Sequence, residues 1–215
     1  MNRYLLAAAA TLTATPALAH HPLGGLPMET FAHGALSGVG HPILGFDHLF
    51  FIAAMGIAAL FTSARLTAPL AYVAAMVLGC AAAYAGLALP AVETVIVVSI
   101  LAIGGVILSG RALSLAPALV LFAGFGLFHG AAFSGALSAQ EGGAGASVLA
   151  GYLIFLAITQ YAIAIGAQFV ARTVLGATDA SSVNARLAGA AVAGVGVFLA
   201  LETLEGPIVA ALTGA

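Results

Sequence analysis

Twelve formal charges serve 215 residues: five Arg, no Lys, and seven Asp or Glu. A chain that solvates its own surface in water uses about 25% charged residues. This one uses 6%, with 63% hydrophobic residues, which is too little charge to coat a water-facing domain. A soluble enzyme, a nucleic-acid binder with a basic patch and an acidic disordered region are excluded on that ground. The class that remains is an integral membrane protein, whose outer surface is solvated by lipid. The 27 glycines suit packed membrane helices, where small residues let backbones approach. Cys80 is the one cysteine, so neither an intramolecular disulfide nor a cysteine-rich metal site can form.

Arg3, the apolar run Tyr4 to Ala10 and the small triplet Ala17-Leu18-Ala19 have the layout of a cleavable secretory signal peptide over residues 1–19. Cleavage there starts the mature chain at His20-His21-Pro22, outside the cytoplasm, and leaves residues 20–40 as a histidine-containing periplasmic segment. A hydrocarbon core needs roughly 20 apolar residues per helix. Six such runs lie at 42–61, 67–89, 92–109, 113–136, 147–171 and 187–204. The breaks between them are short, which predicts an all-α bundle of six antiparallel transmembrane helices over residues 41–215.

The charges fix an orientation for that bundle. Arg65, Arg111, Arg172 and Arg186 all fall in alternate breaks, and a cytoplasmic excess of arginine is the expected bias. Glu29, Glu93, Glu141, Glu202 and Glu205 sit on or near the opposite side. Asp47, inside the first run, and Asp179, in an inner break, depart from that split. The expected location is the bacterial inner membrane, with the mature N-terminus periplasmic.

Five of the six histidines lie between positions 20 and 48, and the sixth is His129 in the fourth run. Ionisable groups inside a membrane are costly and face a bundle interior or a pathway, so Asp47, His48 and His129 need a reason. Pro42 suits a first helical position with His41 as the cap before it. Seven residues of helix then return His48 to within roughly 20° of His41, with Asp47 about 100° to the side. His48 lies about 9 Å below the outer end of the first run and His129 about 10 Å below that of the fourth. Glu93 and Glu141 open on the same side. Imidazoles and carboxylates without thiolates favour Ni²⁺, Co²⁺, Zn²⁺ or Cu²⁺ over Cu⁺. The free amine of a chain beginning at His20, with His21 beside it, makes a second candidate site. Each residue also has a plain structural alternative: His41 as a helix cap, Asp47 and His48 as a neutralising pair, and His129 as a partner of a backbone carbonyl. Gln160, in mid-run, reads as an interhelical hydrogen-bond partner. Residues 32–40, including His33, read as a Gly/Ser-rich linker.

The segment His41-Pro42-Ile43-Leu44-Gly45-Phe46-Asp47-His48, followed by Leu49-Phe50-Phe51 and Gly56, resembles the first-helix signature H-P-x-x-G-x-D-H-L of the HupE/UreJ family. These are hydrogenase and urease accessory membrane proteins regarded as nickel or cobalt permeases. The likeness extends to the signal peptide, His20-His21-Pro22, Pro90-Ala91-Val92-Glu93 and Phe128-His129-Gly130. It implies metal roles for His41, Asp47, His48 and His129, and a recurrent glutamate at Glu93. The fourth-helix pattern H-G-H-A-H-G-x-E is broken here, where His129-Gly130 is followed by Ala131-Ala132-Phe133-Ser134-Gly135-Ala136. Two imidazoles and a carboxylate are lost, and Glu141 would be the later counterpart of that glutamate.

The reading is a permease carrying a divalent transition metal ion, nickel or cobalt first, from periplasm to cytoplasm. The ion is substrate, and no permanent cofactor or nucleic-acid partner is expected. The candidate metal residues are His20, His21, His41, Asp47, His48, Glu93, His129 and Glu141. No G-x-x-x-x-G-K-[ST] loop is present, so an ion gradient, the membrane potential or a partner protein is expected to drive the step. The rivals are a membrane-embedded zinc hydrolase, which no H-E-x-x-H motif supports, and a sensor or assembly factor that binds without transporting.

Overall fold

The computed structural model describes residues 27–138 and 144–213. The expected signal peptide, His20, His21 and Glu141 lie outside them. The described chain is helical: α1 Phe31–Leu44, α2 Phe46–Leu60, α3 Ala68–Tyr84, α4 Val92–Leu108, α5 Leu115–Phe133, the short α6 Gly135–Ser138, α7 Ala146–Phe169 and α8 Val183–Thr213. A π-helical turn, Val170–Val174, continues α7. No strand occurs among the described residues.

Among the described residues three stretches are long and apolar enough to cross a bilayer, Leu115–Ser138, Ala146–Val174 and Val183–Glu205, and α1 with α2 makes a fourth if the bent pair is one span. The apolar helices α3 and α4 have 17 residues each, about 25 Å of helix against a hydrocarbon core of about 30 Å.

The first histidine segment departs from expectation. Pro42 does not open a helix: it lies in the last turn of α1, and the chain bends by 78° between α1 and α2. Residues 32–40 are therefore helical and not a linker. The helix begins at Thr30, whose side chain accepts from the His33 amide at 3.2 Å, while His33 Nδ1 accepts from the Glu29 amide at 3.2 Å. That capping arrangement occupies His33 in structure. Gly45 is the joint, donating to the His41 carbonyl at 2.9 Å and accepting from the Leu49 amide at 2.8 Å. A Cβ on Gly45 would lie 3.0 Å from the His48 ring and 3.1 Å from the His41 carbonyl oxygen, so any side chain there would press on both histidines.

The glycines of residues 32–40 serve close packing. A Cβ on Gly34 would fall on the Val148 carbonyl of α7, and Gly151 of α7 answers against Phe31 of α1. The same device joins α3 to α5, where Gly79 meets Leu127 and Gly130 meets Met76, and α4 to α8, where Gly104 meets Ala193 and Gly189 meets Leu108. These close crossings are how helices associate where lipid removes the usual hydrophobic drive. In the middle runs α2, whose Phe51, Ile52, Ala54, Met55 and Ala59 are fully buried. It packs on α7 at Gly56 against Ala164, and on α4.

The charges separate by end. Arg65 and Arg172 line one cavity, Arg111 lines another with Phe61 and Ala180, and Arg186 Nε donates to the Leu108 carbonyl at 3.0 Å. All four thus share the end where α2 and α4 finish. Asp47, Glu93 and Glu202 line a cavity at the other end. Asp179, the acid on the arginine side, closes the turn before α8. It accepts from the Ser181 hydroxyl at 2.5 Å and the Ser181 amide at 3.0 Å, and these bonds hold its carboxyl below the ordinary aspartate range.

Candidate metal site

Three helices bring the intramembrane histidines together. His48 comes from the first turn of α2, His129 from α5, and His41 from the last turn of α1 across the bend. His48 Nδ1 and His129 Nδ1 are 2.9 Å apart, and His129 Nε2 is 2.9 Å from Ser99 Oγ of α4. His41 Nδ1 is 2.9 Å from the Tyr152 hydroxyl of α7. His129 is fully buried and His48 is 5% exposed.

One placement of protons satisfies this network. Ser99 Oγ donates to the Ile96 carbonyl at 2.6 Å, which leaves it to accept from His129 Nε2–H. The neutral His129 ring then has its lone pair at Nδ1 and accepts from His48 Nδ1–H. In the same way the Tyr152 hydroxyl donates to the Phe133 carbonyl at 2.9 Å and accepts from His41 Nδ1–H. Both His41 and His48 therefore carry their lone pair at Nε2. His48 Nε2 is 3.9 Å from Asp47 Oδ2. Fixing the tautomer through the other ring nitrogen is how proteins ready imidazole for a cation.

These groups border a cavity of about 220 Å³ lined by His41, Gly45, Asp47, His48, Glu93 and Ile96. It adjoins a larger one of about 410 Å³, which shares Asp47, Glu93 and Ile96 and runs on to Phe198, Glu202 and Thr203 of α8. The walls on the other side are closed. Phe51 stacks on the His129 ring at 4.3 Å, Tyr72 meets it edge-on at 5.9 Å, and Phe133 packs on His48 at 4.1 Å and on His41 at 4.9 Å. Phe133 stands where the H-G-H-A-H-G-x-E pattern has its third histidine, so an apolar ring covers the imidazoles where that pattern supplies another donor.

Among the described residues no three His, Cys, Asp or Glu side chains converge closely enough to hold one ion directly. The His41 and His48 rings, expected one above the other on a single helix, are instead 5.9 Å apart at 73° on two helices. Two participants were missed in the sequence. Ser99 is the one hydroxyl in the apolar stretch Val95–Leu108, a signal of the same kind as His129. Tyr152 belongs to α7, and nothing local marked it as a partner of His41. Gln160 is fully buried, yet neither atom of its amide has a hydrogen-bond partner among the described residues, contrary to the interhelical bond expected of it.

A sequence model of the HupE / UreJ protein family matches residues 8–199. No curated protein and no solved structure matches the chain.

Proposed function

The chain belongs to the HupE/UreJ family, which is associated with nickel and cobalt accessory or transport function, and on that premise we propose that it is a permease importing a divalent transition metal ion, nickel or cobalt first. In this reading α1 with α2, α3, α4, α5, α7 and α8 make six membrane crossings. The arginine end faces the cytoplasm, and the mature N-terminus is periplasmic after loss of residues 1–19.

The observation that carries the reading is the hydrogen-bonded pair His48–His129 beside a polar cavity that Asp47 and Glu93 also line. At about 30 Å³ per water, 220 Å³ is room for roughly seven waters, enough for a cation with its hydration shell. The ion enters past Glu202 and Glu93, where carboxylates attract it. His48 Nε2, with Asp47 beside it, then replaces part of its water while His41 and Glu93 meet the hydrated ion across the cavity, and His129 holds His48 in the tautomer with its lone pair at Nε2. No thiolate takes part, and nitrogen with oxygen donors suits Ni²⁺ and Co²⁺. A doubly charged ion moving inward gains about 4.6 kcal/mol at 100 mV, so the membrane potential alone can concentrate it. His20, His21 and Glu141 would extend the site outward by collecting the ion at its mouth.

The test is accumulation of radioactive nickel or cobalt in cells expressing the protein, against His48→Ala and His129→Ala at equal membrane abundance. The reading expects both variants to fall to the level of cells without the protein. Variants that accumulate as much metal as the parent would refute the site. Purified protein that binds the ion but moves none into vesicles would make it a sensor or assembly factor.

A further inference from the structure

Arg65 and Arg172 come together from separate elements to line one cavity, at the end of the bundle away from the histidines. Arg65 lies in the turn between α2 and α3, and Arg172 in the π-helical turn after α7. Both line a cavity of about 220 Å³ with Leu66, Gln168, Phe169 and Thr173. Among the described residues neither guanidinium has a hydrogen-bond or carboxylate partner, whereas Arg186 at the same end spends one N–H on the Leu108 carbonyl.

The cavity is held open by bonds that leave the guanidinium groups out. Gln168, nearly buried, donates from Nε2 to the Arg65 carbonyl at 2.7 Å, and the Tyr161 hydroxyl donates to the Leu66 carbonyl at 3.0 Å. The turn carrying Arg65 is thereby pinned to the helix whose continuation carries Arg172. Widened helical turns of this kind are frequent at functional sites. Beside the cationic cavity, Leu66 is 49%, Phe169 64% and Val170 46% exposed, an apolar flank at the end of the bundle.

We infer that this cavity binds the phosphate of an anionic phospholipid, with its acyl chains along Leu66, Phe169 and Val170. Guanidinium groups match phosphate oxygens in paired N–H···O contacts, and basic pockets on the cytoplasmic side of membrane helices take anionic headgroups. A free phosphate would satisfy the same charges but would leave the apolar flank unused, and the flank favours the lipid.

The experiment is thermal unfolding of the purified full chain in detergent with added phosphatidylglycerol or phosphatidylcholine, beside Arg65→Gln/Arg172→Gln and Arg65→Lys/Arg172→Lys. Two arginine contacts correspond to a rise in midpoint of about 4–8 °C with phosphatidylglycerol over phosphatidylcholine. The glutamine pair should abolish the rise and the lysine pair should keep part of it. Equal midpoints in the two lipids, or a rise that survives the glutamine pair, would overturn the inference. So would inorganic phosphate reproducing the rise by itself, because the site would then be one for a free anion. If the glutamine pair does not purify folded, native mass spectrometry of the parent decides, and retention of phosphatidylglycerol no greater than of phosphatidylcholine counts against the site. No metal enters these measurements, so their failure leaves the transport reading untouched.

Discussion

Ser99→Ala removes a single oxygen beneath the histidine pair and leaves the packing of α4 nearly unchanged. In the parent, Ser99 Oγ accepts from His129 Nε2–H, and His129 Nδ1 accepts from His48 Nδ1–H. Without the hydroxyl two adjustments are open. His129 keeps its proton on Nε2 as a buried donor with no acceptor, at a cost of about 1–3 kcal/mol. Alternatively the proton moves to Nδ1, and His48 must then shift its own proton to Nε2, the nitrogen that faces Asp47. At the proposed site that second arrangement blocks the lone pair His48 offers the ion, and binding requires its reversal at the same cost. The first route burdens the free and the metal-bound protein alike and shows as lost stability of about 1–3 kcal/mol, whereas the second lowers affinity by about 5- to 150-fold. Titration of purified protein with Ni²⁺ or Co²⁺ by calorimetry reads this directly, and cell accumulation reads its consequence. Ser99→Thr keeps the hydroxyl and should bind within a few-fold of the parent. If folded Ser99→Ala unfolds at the parent's midpoint and also binds metal within twofold of the parent, the proton assignment is wrong and His129 does not act through its tautomer.

Two further substitutions test the packing. Gly79→Ala drives a methyl onto the Leu127 carbonyl, whereas Gly124→Ala, in α5, meets nothing within 4 Å. The first should destabilise by about 1–3 kcal/mol and the second should be neutral, as judged by unfolding in detergent, and equal effects would remove the close-packing argument for α3 and α5. Gln160→Leu should raise stability by about 1–3 kcal/mol, because it replaces an amide buried without partners, and a fall in unfolding midpoint would show that the amide does find partners.

What the sequence disclosed and what it concealed divide along physical lines. Depth along a helix is additive, so counting from the run ends put His48 and His129 at similar levels, and their Nδ1 atoms lie 2.9 Å apart. The split of Arg from Asp and Glu was likewise legible, since the two signs gather at opposite ends of the bundle. The bend was not. Pro42 and the glycines before it signal a boundary by local propensity, but the boundary falls three residues later, at Gly45, where a side chain would press on both His41 and His48. Gly34 and Gly38 were read as linker residues for their flexibility. Their spacing, Gly-x-x-x-Gly, is equally the mark of a close membrane crossing, and α7 turns that second meaning into a helix. Ser99 stood out in its apolar stretch but its partner did not, and Tyr152 became visible only through tertiary structure, because a hydroxyl acquires its role from whatever proton it receives.

The joint at Gly45 gives His41 and His48 to separate rigid rods. Their ring separation of 5.9 Å is therefore an angle between two rods and not a helical register, so lengthening or shortening the chain by one residue at the elbow would swing one imidazole about the other, whereas the same change in a continuous helix would only turn both around a common axis.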